Sequence, residues 1–586
     1  MEQKRTVTDE ILLYSVIFLT GLLIRTLLLG AFPLREYEAG FANQAWDLAQ
    51  NAQLEVGNRV GYLFFTQSAF SLLGSSNLTA RLFPVLAGSA LVWVPYLLRD
   101  QLGKTPALIF AAGLALDPGL VSVSRFAGSP LPAAVFLVAG LLMLTRERYS
   151  WSIFLLGLSL FSGPDFWLGV LMLWVAAAFS LWLLPGDLMM FLRTQYHQFR
   201  EQLSQENSLL LVVGLPLGFL VFISSFYLRH YQGITAWAGS LVDFLLGFNP
   251  TPGPRAGQLV LTLLFYQPLP LILGGIAGVR GWFKKDPRAQ YLSLGVAAGL
   301  LILLLYPSRR TADLIWILIP LYGLAALELH RLFQRGIQGL IPWLQAGLIL
   351  VLFILAWFSF TGMIVQADNS RAVLLQAGII LAAAALGGIA TAIVAAEWSW
   401  DISRQGIWLG VGSALFIYGI SALTGSAYLR PDDPREFWVP GPGTGQLSLL
   451  METIQDVSLA STGRKDSIRG AVYLEDEVLH WQLRDYPAFE FYREYNADQR
   501  PPLFITGEDA AELVVSDAYL GQDFLHQVSP GWIGVLPSPW KNWAAFREGI
   551  VEEERVVLWV RKDVIPGADL YTSSADGANN SRGETE

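Results

Sequence analysis

The sequence predicts an all-α polytopic membrane domain of about thirteen transmembrane helices, followed by a small C-terminal α/β domain. Composition and a change of pattern along the chain support this prediction. Of the 586 residues, 53% are hydrophobic and 15% are charged, whereas soluble domains carry roughly 25% charged residues. Leucine-rich runs recur as far as residue 427, after which prolines and short alternating segments replace them.

Long apolar runs define the membrane domain. We place the helices near 11–33, 82–98, 105–122, 131–145, 150–163, 166–184, 208–227, 258–279, 290–306, 312–329, 341–364, 373–396 and 406–427. If the N-terminus is cytoplasmic, the inner segments carry roughly fifteen Lys and Arg residues, against roughly nine in the outer loops. We therefore expect a multi-pass protein of the cytoplasmic membrane, with a cytoplasmic N-terminus and an extracytoplasmic C-terminal region.

Three regions follow from this pattern. Residues 1–427 form the membrane domain, whose first outer loop spans 34–80. Residues 428–566 form the extracytoplasmic α/β domain, with strands expected at 468–474, 502–506 and 555–560 and helices at 451–460 and 543–550. Residues 567–586 are polar and rich in small residues, which is typical of a disordered tail. The chain has no cysteine, which excludes disulfides and thiolate chemistry.

Two carboxylates open the first outer loop. Glu36 and Glu38 precede an apolar stripe at helical spacing, formed by Phe41, Ala45 and Leu48, which predicts an amphipathic helix on the membrane surface. A helix dipole favours ionised carboxylates in the first turn, and such a carboxylate can accept a proton from a hydroxyl. The alternative is that both glutamates are ordinary N-terminal charges of a solvated helix.

Several arginines of the outer loops are candidates for binding phosphate. Arg309 and Arg310 are adjacent in a short loop between apolar helices, although outer loops are usually depleted of positive charge. Guanidinium groups match the oxygens of a phosphate, and the alternative is interfacial contact with lipid headgroups. Arg125 either faces a phosphate or pairs with Asp117, and Asp165 is a weaker candidate that turns commonly contain.

Other kinds of chemistry lack a signature in the sequence. There is no phosphate-binding P-loop, no HExxH zinc motif and no histidine cluster, which makes an ATP-driven pump a poor explanation. The spans carry few ionisable residues, whereas secondary transporters place them mid-membrane. No cofactor, metal site or nucleic-acid partner is indicated. The charge distribution favours surface chemistry on a lipid-linked substrate.

The stretch from about residue 30 to 145 resembles membrane glycosyltransferases of the GT-C fold that use polyprenyl-phosphate sugars, such as protein O-mannosyltransferases and lipid A aminoarabinose transferases. The matching segments there are Glu36-Tyr37-Glu38-Ala39-Gly40, 61–70 leading to 78–84, and Ser124-Arg125-Phe126. Later in the chain, the Arg309-Arg310 loop with the helix after it and the outer segment 481–487 are similar to parts of the same enzymes.

This resemblance implies that a sugar moves from a polyprenyl-phosphate donor to a hydroxyl of a glycan, lipid or protein acceptor, with inversion, on the outer face of the membrane. It implies Glu38, and next Glu36, as the residue that deprotonates the acceptor. It also implies a group of arginines that stabilise the departing phosphate: Arg309, Arg310, Arg81 and Arg125.

The chain departs from this family at the first-loop motif. Tyr37 precedes Glu38 where the family commonly has Asp, so the acidic pair is altered. The second expectation is therefore a non-catalytic GT-C-like protein that assists the assembly or flipping of lipid-linked glycans. In the outer domain, Trp481 and Tyr486 are candidates for stacking on an acceptor sugar, and the alternative is that they fill the domain core.

Overall fold

The computed structural model describes residues 2–51, 56–184, 187–203, 209–249, 253–334, 336–337, 339–438, 441–493, 500–508, 518–532, 534–537 and 539–564. The predicted tail at 567–586 lies outside these described residues. Within them the chain is mostly helical as far as residue 429, and a mixed sheet follows near the C-terminal end.

The described part of the membrane domain contains twenty α-helices. Prolines at the first helical position, where their fixed φ suits the helix, start α7, α10, α15 and α16. The helices are α1 (Glu2–Thr26), α2 (Glu36–Ala49), α3 (Val60–Leu73), α4 (Asn77–Ala90), α5 (Val94–Leu102), α6 (Lys104–Leu116), α7 (Pro118–Ser124), α8 (Leu131–Thr145), α9 (Tyr149–Leu160), α10 (Pro164–Leu183), α11 (Asp187–Leu203), α12 (Leu215–Ser224), α13 (Gly233–Leu246), α14 (Ala256–Tyr266), α15 (Pro268–Lys284), α16 (Pro287–Leu305), α17 (Ile315–Phe333), α18 (Ile341–Val365), α19 (Ser370–Glu397) and α20 (Trp400–Thr424).

The polytopic membrane domain is supported, but the count of thirteen spans is not reproduced. Seven helical segments of the described chain are long and apolar enough to cross a membrane, or up to nine if the bent pairs α6–α7 and α14–α15 each form one span. The runs predicted at 131–145 and 150–163 form α8 and α9, of 15 and 12 residues. Both are shorter than the roughly 20 residues of a typical span, so these two predicted spans are not confirmed.

The first outer loop contains the predicted helix, α2. It begins after the extended residue Arg35, and the Glu38 side chain accepts a hydrogen bond from the Arg35 main-chain N–H at 3.3 Å. Its apolar face, which includes Ala42, Ala45 and Leu48, is buried within the protein. The helix packs between α3 and a C-terminal helix, α22 (Glu477–Leu483). Protein therefore covers the apolar face that the sequence assigned to the membrane surface.

The described part of the C-terminal region forms a five-stranded sheet with three helices. The strand order is β2-β1-β3-β5-β4, with β1 parallel to β2 and β3, and β5 antiparallel to β3 and β4. The three predicted strands coincide with β1, β3 and β5, whereas β2 and β4 were not predicted. The elements are α21 (Leu447–Thr462), β1 (Gly470–Val472), α22, β2 (Phe489–Phe491), β3 (Leu503–Gly507), β4 (Tyr519–Pro530), α23 (Trp540–Phe546) and β5 (Val551–Arg561).

The sheet region shares its main hydrophobic core with the first outer loop. One buried cluster joins side chains of α2 and α3 to those of α21, α22, β1, β3 and β5. Polar contacts join the same surfaces, since Asn43 Nδ2 donates to the Glu477 carboxylate at 2.7 Å and Trp481 Nε1 donates to Asn77 Oδ1 at 2.8 Å. The C-terminal region is therefore fixed on top of the loop that was predicted to carry the chemistry.

Candidate functional site

Glu38, the preferred candidate base, is fully buried, with 0% of its surface exposed. Arg81 donates from Nε to Oε1 and from Nη2 to Oε2, both at 2.7 Å. The main-chain N–H groups of Ala127 and Arg35 donate to the same two oxygens, at 2.9 and 3.3 Å. Because every carboxylate oxygen already accepts two hydrogen bonds away from solvent, the geometry gives Glu38 a structural role and does not support a proton acceptor there.

The hydrogen-bond donors of Arg81 are also fully used within the protein. Besides Glu38, it donates to the main-chain carbonyl oxygens of Leu29, Phe32 and Pro33, at 3.1, 3.0 and 2.8 Å. These carbonyls belong to the connection between α1 and α2. Arg81 therefore fixes the entry of the first outer loop, and its donors are not available to a phosphate.

Arg125 and Arg309 also bind main-chain carbonyls. Arg125 donates from Nη1 to the carbonyl oxygens of Arg25 and Leu27, at 2.9 and 2.7 Å, at the end of α1. Burial lowers the pKa of Arg125 to about 10. Arg309 donates from Nε to the carbonyl oxygen of Pro254 at 3.0 Å. The structure thus places three of the four predicted phosphate-binding arginines in contacts that stabilise loops.

The fourth, Arg310, lies in a cavity of about 530 Å³ together with Tyr37 of the first loop. Glu36, the second candidate base, is exposed on the same helical turn but is not among the residues that line this cavity. The residues that do line it come from the first loop, α10, α13 and the Arg310 loop: Tyr37, Phe41, Gln44, Gly57, Asn58, Arg59, Pro164, Asp165, Leu168, Asp243, Leu246, Gly247, Tyr306, Ser308, Arg310 and Asp313.

A network of charged side chains occupies one wall of the cavity. Arg59 Nη1 donates to Asp165 Oδ2 at 2.5 Å, and Arg310 Nη2 donates to Asp165 Oδ1 and to Asp313, the latter at 3.0 Å. The Tyr37 hydroxyl accepts from Arg59 Nη2 at 3.1 Å and from Arg310 Nη1 at 2.7 Å. Residues separated by as many as 273 positions therefore meet at one hydroxyl group.

Local sequence explains how Asp165 reaches this position. Gly163 adopts φ of +91°, and a Cβ atom there would lie 2.7 Å from Arg59 Cγ. Pro164 then starts α10, which places Asp165 in the first turn, where the helix dipole favours a carboxylate. Glycine adopts this positive φ without strain and leaves room for the Arg59 side chain. The Gly-Pro-Asp turn can therefore bring Asp165 beside Arg59.

The two arginines are held firmly as cations. Burial by itself would lower the pKa of Arg310, but the carboxylates of Asp165 and Asp313 raise it well above its ordinary value. Burial acts against Arg59 in the same way, and Asp165 and Tyr37 raise its pKa. The Arg310 side chain is 31% exposed, whereas that of Arg59 is 5% exposed. Arg310 is therefore the guanidinium group that a ligand in the cavity can contact.

Asp243, at the end of α13, differs from the other carboxylates of the cavity. It is exposed and accepts a hydrogen bond from the Asn58 side chain. No arginine or lysine forms an ion pair with it in the described part of the chain. Asp243 is therefore open to a ligand in the cavity, whereas Asp165 and Asp313 are occupied by guanidinium groups.

The two aromatic residues predicted to bind an acceptor are core residues. Trp481 is 0% exposed and packs against Phe70, with ring centroids 5.6 Å apart. Tyr486 is buried beside Phe489, with ring centroids 5.4 Å apart. Neither ring presents a face to solvent, which agrees with the alternative that the sequence left open.

Metal ligation has no matching arrangement among the described residues, since no group of three or more His, Asp or Glu side chains is placed to hold an ion. The ionisable side chains that line the cavity include Arg59, Arg310, Asp165, Asp243 and Asp313.

Sequence reasoning missed Tyr37, Arg59 and Asp243 as site residues. Tyr37 carried a signal, because it occupies the position where the resembled family commonly has Asp. Arg59 also carried one, since it lies just before α3 in a loop longer than a connector needs. Asp243 carried no such signal, because a single acidic residue near the end of an apolar helix is commonly just solvated.

No protein-family model matches the chain, and no curated protein sequence matches it. Solved structures do. ArnT from Cupriavidus metallidurans bound to undecaprenyl phosphate aligns over 96% of this chain and 98% of its own, with a TM-score of 0.48 and 14% identity. The same protein in the apo state aligns over 94% and 98%, with a TM-score of 0.47 and 15% identity.

A third similar structure is the oligosaccharyltransferase of Archaeoglobus fulgidus, tethered to an acceptor peptide that contains the NVT sequon. It covers 85% of this chain and 69% of its own, with a TM-score of 0.41 and 10% identity. Both of these proteins are GT-C glycosyltransferases. At these scores and identities the likeness assigns no residue a role.

Proposed function

We propose that the protein is a membrane glycosyltransferase that moves a sugar from a polyprenyl-phosphate donor to an acceptor hydroxyl, on the outer face of the membrane and with inversion. The observation that carries this proposal is the meeting of Tyr37, Arg59, Asp165 and Arg310 in one cavity. Three segments that are distant in sequence contribute two arginines, a carboxylate and a phenol hydroxyl to a space large enough for a sugar phosphate, which a merely structural ion pair does not require.

Arg310 is the residue that we assign to the donor phosphate. Asp165 keeps Arg59 as a partner at 2.5 Å, so it stays compensated if Arg310 turns toward a ligand. The Tyr37 hydroxyl lies 2.7 Å from Arg310 Nη1 and offers a proton to the same phosphate. A guanidinium group beside the leaving group stabilises the negative charge that accumulates on the phosphate as the glycosidic bond breaks.

Asp243 is the proton acceptor that we assign, in place of Glu38 and Glu36. The acceptor oxygen forms a bond to the anomeric carbon while the bond between that carbon and the phosphate oxygen breaks. The hydroxyl proton passes to the Asp243 carboxylate, and the polyprenyl phosphate leaves with the bonding electrons. Asp243 suits this step because it is exposed in the cavity and, in the described structure, has an amide but no cation as its hydrogen-bond partner.

A binding assay tests the donor assignment. The protein in lipid nanodiscs is titrated with undecaprenyl phosphate, and the Arg310→Ala variant is compared with wild type. We expect affinity to fall by about tenfold or more, since charge-assisted hydrogen bonds to a phosphate are lost. Arg255→Ala is the matched control, because Arg255 is exposed and lies outside the cavity. Equal affinity in all three proteins would contradict the assignment.

A transfer assay tests the chemical step. Membranes with the protein receive a panel of radiolabelled undecaprenyl-phosphate-linked hexoses and pentoses, and release of undecaprenyl phosphate is measured. We expect Asp243→Asn to bind undecaprenyl phosphate normally and to lower turnover by about a hundredfold or more, the usual range for removing a general base. The control is Glu36→Gln, which should retain turnover. If the wild-type protein binds undecaprenyl phosphate but transfers none of the sugars in the panel, the non-catalytic alternative is favoured.

A further inference from the structure

A second cavity lies at the edge of the membrane domain, where α18 and α20 meet the C-terminal region. Its volume is about 340 Å³, and it shares no lining residue with the cavity that contains Arg310. The function proposed above leaves it without a role. The residues that line it come from α18, from α20 and the turn after it, and from the end of α23: Leu350, Phe353, Ile354, Trp357, Phe358, Ala414, Ile417, Tyr418, Ser421, Ala422, Arg430, Ala544, Ala545, Phe546 and Arg547.

The cavity lies toward the same end of the membrane domain as Arg310. Helix α17 begins just after the Arg310 loop, and Leu332 near its other end belongs to one hydrophobic cluster with Trp408, near the start of α20. Because α20 starts at the end of α17 that is remote from Arg310, it runs back toward the Arg310 end. The chain then reaches Arg430, which therefore lies at that end of the domain.

The walls formed by α18 and α20 are apolar and belong to the membrane. Residues 350–358 and 414–422 lie within helical segments that are long and apolar enough to cross a membrane. Phe358 and Ile417 are exposed, so they face hydrocarbon when the protein is in a bilayer. A space bounded by such side chains favours an apolar occupant over water. The lower part of the cavity therefore suits a hydrocarbon chain.

The rim of the cavity is cationic. Arg430 Nε donates to Glu436 Oε1 at 2.6 Å, and Arg547 Nε lies 3.8 Å from Glu436 Oε2. Two guanidinium groups thus share one buried carboxylate, and no acidic residue is among the described residues that line the cavity. The neighbouring Asp433 and Arg435 compensate each other at 2.8 Å. The rim therefore carries one more positive charge than negative charge.

Arg430 is the member of the rim that a ligand can reach. Its side chain is 35% exposed, and within the described part of the chain Nε alone of its nitrogens donates a hydrogen bond. Arg547 is buried, and its Nη1 donates to the Trp543 carbonyl oxygen at 3.2 Å. Trp543 is itself stacked on Phe437, with ring centroids 4.2 Å apart, which fixes α23 as the wall behind Arg547.

We infer that this cavity binds an anionic phospholipid from the leaflet at the Arg310 end. One acyl chain lies between α18 and α20, and the phosphodiester group accepts hydrogen bonds from the Nη groups of Arg430. A phosphodiester carries a single negative charge, which matches the excess charge of the rim, and the forked donors of a guanidinium group match its oxygens. A headgroup with its own ammonium would place a like charge beside the arginines, so an anionic headgroup is favoured.

Native mass spectrometry of the full chain in detergent micelles measures this binding. The protein is titrated with dioleoyl-phosphatidylglycerol, which is anionic, with dioleoyl-phosphatidylcholine, which is zwitterionic, and with dioleoylglycerol, which has no phosphate. We expect phosphatidylglycerol to bind about tenfold or more tightly than dioleoylglycerol, with phosphatidylcholine between them. Equal affinity for all three lipids, or preference for either of the other two, would overturn the inference.

A charge variant tests the role of the rim. Arg430→Gln should weaken phosphatidylglycerol binding by about tenfold or more. The matched control is Arg371→Gln, because Arg371 is exposed near the start of α19 and does not line the cavity. An affinity of Arg430→Gln equal to that of wild type would refute the inference.

A second variant tests the apolar part and leaves the ion pairs intact. Ile417→Trp places a bulky side chain in the space assigned to the acyl chain, and it should weaken phosphatidylglycerol binding by a similar factor. Its control is Ile393→Trp, which alters an exposed residue of α19 that does not line the cavity. If Ile417→Trp binds phosphatidylglycerol like wild type, the acyl chain does not lie between α18 and α20.

A competition experiment separates this lipid from the polyprenyl-phosphate donor. Excess undecaprenyl phosphate should leave phosphatidylglycerol bound, and Arg430→Gln should bind undecaprenyl phosphate like wild type. Displacement of phosphatidylglycerol, with loss of undecaprenyl phosphate binding in Arg430→Gln, would assign the cavity to the polyprenyl lipid and overturn the inference. If Arg310→Ala alone behaves unexpectedly and binds undecaprenyl phosphate normally, the donor proposal fails and the phospholipid site stands.

Discussion

Replacing Glu38 by Gln would leave Arg81 buried beside a neutral amide. Glu38 receives four hydrogen bonds on two oxygens, and Gln can accept them on only one side, because its NH₂ group would face N–H donors. Removing one partner of a buried ion pair costs about 3–5 kcal/mol. The exposed fraction of Glu38 is 0%, so solvent does not reduce this cost.

Thermal unfolding of the full chain in nanodiscs measures the effect. We expect a clearly lower melting temperature for Glu38→Gln. Glu36→Gln, which changes the exposed carboxylate of the same helical turn, should leave the melting temperature unchanged. Adding Arg81→Gln to Glu38→Gln should cost less than the sum of the two single changes, since the unpaired buried charge is removed. A Glu38→Gln protein that melts like wild type yet has lost sugar transfer would refute this reasoning and restore Glu38 as the base.

Three further outcomes follow from the contacts described above. Asp165→Asn should lower the melting temperature and weaken undecaprenyl phosphate binding, because Arg59 loses its compensating charge at a cost of about 3 kcal/mol or more; normal binding would contradict this. Trp481→Ala should destabilise the chain by about 3–5 kcal/mol, as measured by thermal unfolding, and a change within error would contradict the shared core. Burial raises the pKa of Asp476, but the hydrogen bond and charge of His526 lower it below its ordinary value; this stabilisation should be present above about pH 4 and lost as the pH falls further, and His526→Gln should flatten that part of a melting-temperature profile.

Hydrophobicity and local patterns gave the class of the protein, the first-loop helix and three of the five strands. The predicted number of spans was not confirmed, because α8 and α9 are as apolar as the longer helices but contain only 15 and 12 residues. Helix length depends on where a turn interrupts the chain. That information lies in single residues such as Gly163 rather than in average hydropathy.

The site shows a different limit. The sequence predicted Arg310 as a site residue and Asp165 as a weaker candidate, and the two form an ion pair in the cavity. It assigned the acid to Glu38, because nothing local shows that Arg81, 43 residues later, would occupy both of its oxygens. Whether a carboxylate is available for chemistry or is held in a structural ion pair depends on partners that are distant in sequence. The spacing of residues within one helix does not reveal those partners.

The shared core also sets an order of events during biosynthesis. The hydrogen bond between Trp481 and Asn77 joins residues that are 404 positions apart. The ribosome must therefore translate most of the chain before α21 and α22 can pack against α2 and α3. Until then these two helices expose the apolar side chains that later meet α21 and α22. Premature termination before α22 would leave that surface open, and such fragments should be prone to aggregation and rapid proteolysis.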